Sequence, residues 1–296
     1  MTWPPSFRLT REPSTVIGMV ELLGGADIRE LAARLDVVPT KKLGQNFVTD
    51  PNTIRRIVAA AKLTGAETVV EIGPGLGSLT LGLLEVAAKV IAVEIDSKMA
   101  AALEATIAKR AAGKDFTLIH EDALRLSELP SKPDALVANL PYNISVPVLL
   151  HFLERFESIN RGLVLVQAEV AHRLAAGPGS KVYGVPSAKL AWYADANLAG
   201  NVGRNVFWPA PNVDSALVYF AKRPTPIGDE ALRLKTFAVI DAAFSQRRKT
   251  LRQALADFAG SPTLAEELLN RAGVNPTLRG EALGINDFVA IAREVA

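Results

Sequence analysis

The chain has 296 residues, a net charge of +2 and no cysteine. That length suffices for one large domain plus a small one around a real hydrophobic core. The 49% apolar and 22% charged residues are an ordinary globular composition. The missing cysteines exclude disulfides, thiolate metal sites and thiol nucleophiles. His120, His151 and His172 are scattered, so no metal site is expected. No apolar run approaches bilayer length and the N-terminus lacks the layout of a secretory signal, so the expectation is a cytoplasmic protein with no membrane partner.

In chain order, residues 1–18 carry three prolines without periodicity and read as a flexible tail. A short amphipathic helix is expected over about 28–35, with Asp27 as its N-cap and Glu30 at the capping-box spacing. Residues 51–62 read as a helix with Pro51 in its first turn. Strand and helix signals then alternate. Strands are expected at Thr68–Ile72, Lys89–Ile95, Phe116–Ile119, Ala135–Ala138 and Leu163–Gln167, and helices at 78–87, 97–111, 145–156 and 168–176. This pattern predicts an α/β fold, a mostly parallel Rossmann-like sheet with helices on both faces. Leu190–Leu198 and Ser215–Phe220 read as strands of an antiparallel edge hairpin. After a Pro-rich linker at 223–228, helices are expected at 229–258, 263–271 and 285–294. The resulting division is an N-terminal arm (1–38), a cofactor-binding domain (39–222) and a small helical C-terminal domain (223–296).

The segment Val69-Val-Glu71-Ile-Gly73-Pro-Gly75-Leu-Gly77 leaves a strand and enters a helix, where backbone passes close to a nucleotide-like ligand. Its glycines are spaced G-x-G-x-G, whereas a dinucleotide loop has G-x-G-x-x-G and aims helix amides at a pyrophosphate. Glu71 precedes the first glycine and Pro74 removes one amide donor, which suits a cationic ligand without phosphate. S-adenosylmethionine, with its sulfonium and ammonium, is such a ligand; NAD is the main rival. Glu94 ends the next strand, where a carboxylate can accept the ribose hydroxyls. Asp122 follows the third strand and can accept from an adenine amine.

Asn139-Leu140-Pro141-Tyr142 follows the fourth strand and should face the transferable methyl. An exocyclic adenine nitrogen is a poor nucleophile because its lone pair is delocalised into the ring. The Asn139 carboxamide oxygen and the Leu140 backbone carbonyl can accept its two hydrogens and favour a pyramidal nitrogen. Pro141 stiffens the turn, and Tyr142 can stack on an extruded base. No strong general base is required, since the nitrogen becomes acidic once methylated. Positive charge is local: Arg247, Arg248, Lys249 and Arg252 lie within twelve residues, whereas 257–296 hold three basic and six acidic residues. A phosphate-contacting patch is one reading of that run, and a solvated helix face is the other.

These motifs resemble the small-subunit ribosomal RNA adenine dimethyltransferase family over about Lys41 to Phe288. The resemblance rests on Lys42-Leu-Gly-Gln-Asn-Phe-Val, Glu71-Ile-Gly-Pro-Gly-Leu-Gly, Val93-Glu-Ile-Asp, Glu121-Asp-Ala and Asn139-Leu-Pro-Tyr-Asn-Ile-Ser. It continues through Gly177-Pro-Gly-Ser-Lys-Val-Tyr-Gly, Phe207-Trp-Pro-Ala-Pro-Asn-Val-Asp-Ser-Ala and Phe244-Ser-Gln-Arg-Arg-Lys-Thr-Leu. The resemblance implies an S-adenosylmethionine-dependent class I methyltransferase. Its substrate would be two adjacent adenosines near the 3′ end of small-subunit rRNA, in the immature small ribosomal subunit. It implies cofactor contacts from Asn46, Val48, Gly73, Glu94, Asp122 and Asn139, to which the loop reading adds Glu71 and Gly75. Phe207 would be the aromatic wall opposite Tyr142. Arg247, Arg248 and Lys249, with Lys41, Lys42, Arg55 and Arg56, would bind rRNA phosphates. Many relatives carry Leu where this chain has Val48, a change that a backbone contact would survive. A monomer is expected. The competing readings are a resistance-type methyltransferase of large-subunit rRNA, a non-catalytic assembly or transcription factor that kept the fold, and a DNA adenine methyltransferase.

Overall fold

The computed structural model describes residues 19–36 and 46–295. The expected tail and the basic pair Lys41 and Lys42 lie outside them.

Helix α1 (Gly25–Arg34) starts three residues before the expected position. Asp27 is not its N-cap but the third helical residue, and its carboxylate accepts from the Gly24 N–H at 2.8 Å. Gly24 is the N-cap, because Leu23 and Ile28 must both be buried and an earlier start brings them to one side. A two-residue strand that the sequence pattern did not reveal, β1 (Phe47–Val48), leads into α2 (Pro51–Ala60). The Asp50 carboxylate caps α2 from the Thr53 N–H at 2.9 Å.

The alternating unit follows as β2 (Thr68–Ile72), α3 (Ser78–Val86), β3 (Lys89–Glu94), α4 (Ser97–Arg110), β4 (Phe116–His120), β5 (Ala135–Asn139), α5 (Ser145–Arg155), β6 (Arg161–Gln167) and α6 (Ala168–Leu174). Next comes a departure from the sequence reading. Residues 190–193 are not strand but the end of helix α7 (Val185–Tyr193), and β7 runs from Ala194 to Val202. Leu190, Trp192 and Tyr193 have strand-like chemistry, but Pro186 in the first turn nucleates a helix that buries them. The short β8 (Phe207–Trp208) and β9 (Ser215–Lys222) complete the strands.

A seven-stranded sheet has the order β4-β3-β2-β5-β6-β9-β7. The first five strands are parallel; β9 is antiparallel to β6, and β7 to β9. The chain moves outward from β2 to β4 and then restarts at β5 on the other side of β2. Ligands in open α/β sheets bind at such a reversal, beyond the strand C-termini. β1 and β8 pair antiparallel in a separate ladder, Phe47 opposite Trp208 and Val48 opposite Phe207.

The C-terminal region holds α8 (Glu230–Ser245), α9 (Leu251–Ala254), α10 (Ala256–Ala259), α11 (Pro262–Arg271) and α12 (Ile285–Arg293). The single helix expected over 229–258 is therefore broken at 246–250. Gln246-Arg-Arg-Lys-Thr offers no apolar residue to the core. A turn there lets Leu251 and Leu255 become fully buried, and the Leu251 N–H donates to the Leu278 carbonyl at 2.7 Å. The basic run thus lies in a turn between helices, not on a helix face. Val239, Ile240 and Phe288 of this region share one continuous core with Val70, Ile72 and α5 on one side of the sheet. Helices α1 to α4 cover the other side, with Phe207. Among the described residues no helix is long and apolar enough to cross a membrane.

Candidate active site

The reversal between β2 and β5 opens into a cavity of about 280 Å³. All eight residues expected to touch a cofactor line it: Asn46, Val48, Glu71, Gly73, Gly75, Glu94, Asp122 and Asn139. The glycine loop closes its floor. Gly75 has φ +56°, and a Cβ there would stand 2.7 Å from the Phe47 ring, so only glycine lets β1 lie across the loop. Glu94 is held from both sides, accepting from the Gly75 N–H and the Asp96 N–H, each at 3.0 Å. Asp122 accepts from the Leu124 N–H at 2.9 Å.

The electrostatics identify the kind of ligand. Glu71 is 1% exposed, and its Oε2 has no hydrogen-bond partner among the described residues. Burial pushes its carboxyl up to about 8. The nearby Thr80 hydroxyl opposes this, and the Glu94 charge adds to it. Burial also raises the Glu94 carboxyl, against the lowering effect of its two backbone bonds. Glu71, Glu94, Asp96, Glu121 and Asp122 line the cavity, and among the described residues no Lys, Arg or His does. Such a site repels a pyrophosphate and favours a cation that can satisfy the orphaned Glu71 oxygen. S-adenosylmethionine fits; NAD does not.

Asn139 ends β5 at the cavity. Its Nδ2 donates to the Asn46 carbonyl at 2.9 Å, which turns its Oδ1 away from that bond. The Leu140 N–H donates to the Leu165 carbonyl at 3.0 Å and fixes the start of the turn to β6. Leu140, Tyr142 and Phe207 do not line the cavity themselves. Tyr142 is half-buried with its hydroxyl 2.8 Å from the Ser215 hydroxyl. Phe207 is 4% exposed, and β8 joins it to Val48 on the cavity wall.

Motif reading missed three contributors. Phe47 packs on the glycine loop, and β1 is too short for its periodicity to register. Ile95 and Leu124 border the cavity while 60% and 37% exposed, two apolar side chains beside Glu94 and Asp122. They form flat apolar surface next to hydrogen-bonding carboxylates, suited to a purine ring. Only the folded chain shows that exposure.

The model of the ribosomal RNA adenine dimethylase family matches residues 39–296. The chain belongs to that family. It is 61% identical to the ribosomal RNA small subunit methyltransferase A of Streptomyces coelicolor, over 92% of this chain and 96% of that protein. It is 56% identical to the protein of the same name from Paenarthrobacter aurescens, over 96% and 97%. Among solved structures, a dimethyladenosine transferase from Plasmodium falciparum shares the fold with a TM-score of 0.70 at 24% identity, covering 83% of this chain and 95% of that one. The 23S rRNA methyltransferase ErmE shares it with a TM-score of 0.61 at 24% identity, over 84% and 99%. Members of the dimethylase family are S-adenosylmethionine-dependent methyltransferases, in agreement with the chemistry of the cavity.

The basic residues fare unequally. Arg55 pairs with Glu85 at 3.4 Å, and Arg56 donates to the Asn201 carbonyl at 3.4 Å. Arg247 is occupied within the chain, paired with Glu281 at 3.2 Å and donating to the Lys181 carbonyl. Arg248 and Lys249 are exposed and have no side-chain partner among the described residues.

Proposed function

We propose that this enzyme dimethylates N6 of two adjacent adenosines near the 3′ end of small-subunit rRNA. It acts as a monomer on the immature small subunit in the cytoplasm. The observation that carries the mechanism is the 2.9 Å bond from Asn139 Nδ2 to the Asn46 carbonyl. That bond fixes which end of the carboxamide is the acceptor. Oδ1 is left to accept one N6 hydrogen, and the Leu140 carbonyl accepts the other. With both hydrogens held, the nitrogen lone pair leaves conjugation with the ring. The cofactor supplies a methyl group activated by a positively charged sulfur. Glu71 offers the buried negative charge that holds a cation in place, Glu94 accepts ribose hydroxyls, and Asp122 accepts the adenine amine. Ile95 and Leu124 flank that adenine. Tyr142 presents an aromatic face to the target base, which tolerates a nitrogen gaining methyls better than tight hydrogen bonding would; Phe207, expected as the opposite wall, is buried behind Val48. Catalysis here is positioning and electrostatics without a covalent intermediate.

Residues 223–296 form the RNA-binding part, with residues 1–38 as an arm and 39–222 as the cofactor domain. Because Arg247 is already engaged within the chain, the phosphate contacts fall mainly to Arg248 and Lys249. Reversing both (Arg248→Glu with Lys249→Glu) should weaken small-subunit binding at least about tenfold and reduce its salt dependence. Cofactor affinity, read by calorimetry, should stay the same. An equal loss of both affinities would mean that the turn serves folding instead.

The function itself is tested with methyl-labelled cofactor and three separate substrates: unmethylated small subunits, large-subunit rRNA and duplex DNA. Dimethylated adenosine in the 3′ region of the small-subunit RNA is the expected product. Label confined to either other substrate would assign a different target.

A further inference from the structure

Ser215 is the first residue of β9 and has no exposed surface. It is paired on both sides within the sheet, with Gln167 of β6 and Val202 of β7. Its hydroxyl lies 2.8 Å from the Tyr142 hydroxyl, across 73 residues of sequence. The backbone of Tyr142 is tied as well, since the Ser145 hydroxyl donates to the Tyr142 carbonyl at 3.5 Å. The ring is therefore fastened at both ends: its main chain to the start of α5 and its phenol to the sheet. Two torsions orient a tyrosine ring; the hydroxyl lies on the axis of the second, so anchoring it holds the first and sets where the ring lies. Burial raises the phenol above its ordinary range, so it stays protonated at neutral pH. A protonated phenol turned toward the sheet leaves the ring face as what Tyr142 can present to a base.

We propose that Ser215 is a positioning residue that holds the Tyr142 ring in place, and that the second methyl transfer depends on this more than the first. The proposal rests on the reading of Asn139, Leu140 and Tyr142 under Proposed function. Each transfer breaks a sulfonium S–CH3 bond, forms an N–CH3 bond and releases the N6 proton to water. In the first transfer N6 has two hydrogens, and both Asn139 Oδ1 and the Leu140 carbonyl can hold it. In the second it has one hydrogen and a methyl, so one of those contacts is gone. The orientation of the base then relies more on the aromatic face it lies against. A ring free to tilt costs the second step the larger factor.

The test is a double-mutant cycle on unmethylated small subunits, comparing wild type, Ser215→Ala, Tyr142→Phe and the double variant. Single-turnover rates are measured and the ratio of monomethylated to dimethylated adenosine is read by mass spectrometry. Losing one neutral hydrogen bond predicts that either single variant slows the second transfer about fivefold and accumulates monomethyladenosine. The double variant should be no slower than either single one. Cofactor affinity should change less than about twofold, which separates positioning from a folding defect. Multiplicative losses in the double variant would overturn the proposal, as would a wild-type product ratio in both single variants or a matching fall in cofactor affinity. Wild-type protein that leaves small-subunit adenines unmodified would instead remove the reading on which the proposal rests.

Discussion

Asn139→Ala should lower methyl transfer by about 100- to 1000-fold while leaving cofactor affinity within a few-fold of wild type. Asn139 lines the cofactor cavity, where Glu71, Glu94 and Asp122 supply the hydrogen-bonding carboxylates. Truncating the carboxamide removes the acceptor proposed for one N6 hydrogen and releases the Asn46 carbonyl that orients it. It leaves the sheet intact, because Asn139 pairs with Leu165 through main chain alone. The asymmetry between transfer and binding is the diagnostic. Stopped-flow transfer on unmethylated small subunits and calorimetric cofactor titration measure the two separately. Unchanged turnover would remove Asn139 from the chemistry. Parallel loss of binding would make it a cofactor ligand only.

Glu71 should make cofactor binding depend on pH in the direction opposite to the stability of the empty protein. Its carboxyl is pushed from an ordinary 4.5 to about 8 by burial. Below about 4.5 it is protonated folded and unfolded alike. Between 4.5 and 8 the folded state holds a proton that the unfolded state has released, so stability falls as pH rises through this window. The effect is on the order of 5 kcal/mol at its full extent. Glu94 is raised too and adds to it with the same sign. A cationic cofactor needs the carboxylate, so its binding must expel that proton. Affinity should rise up to about tenfold per pH unit from 6 toward 8 and then level off. Glu71→Gln should flatten both trends, bind cofactor more weakly at pH 8, and melt at or above the wild-type temperature there when ligand-free. Proton release on binding is read by titration calorimetry in buffers of different ionisation enthalpy. A pH-independent affinity in the wild-type protein would contradict this account of Glu71.

Much of this was readable before folding, for reasons tied to particular residues. The central strands are buried on both faces, so Val69-Val70 and Val90-Ile91 form continuous apolar runs whose length and β-branching reveal them. Glu71, Glu94, Asp122 and Asn139 follow or end such strands, so parallel topology alone gathers them. Elements failed where a local signal was weak or overridden. β1 is too short to show alternation, and its place is set by pairing with β8, some 160 residues away. Helix α7 carries Trp192 and Tyr193, residues at home in strands, and tertiary burial decided in favour of the helix. The break at 246–250 follows from core geometry that brings Leu251 beside Leu278, a contact no periodicity encodes. Side-chain commitment was least legible of all. Arg247 and Arg248 are chemically identical neighbours, yet one is engaged by Glu281 and the other is exposed without a side-chain partner among the described residues.

The most direct measurement of the central claim is a crystal structure of the protein with an unreactive cofactor analogue and adenosine or a short substrate RNA. The account predicts the analogue between the glycine loop and Glu94. It places N6 of the target adenine within hydrogen-bonding distance of Asn139 Oδ1 and the Leu140 carbonyl, with the ring against Tyr142. An adenine bound elsewhere, or an Asn139 carboxamide that presents its nitrogen to N6, would contradict it.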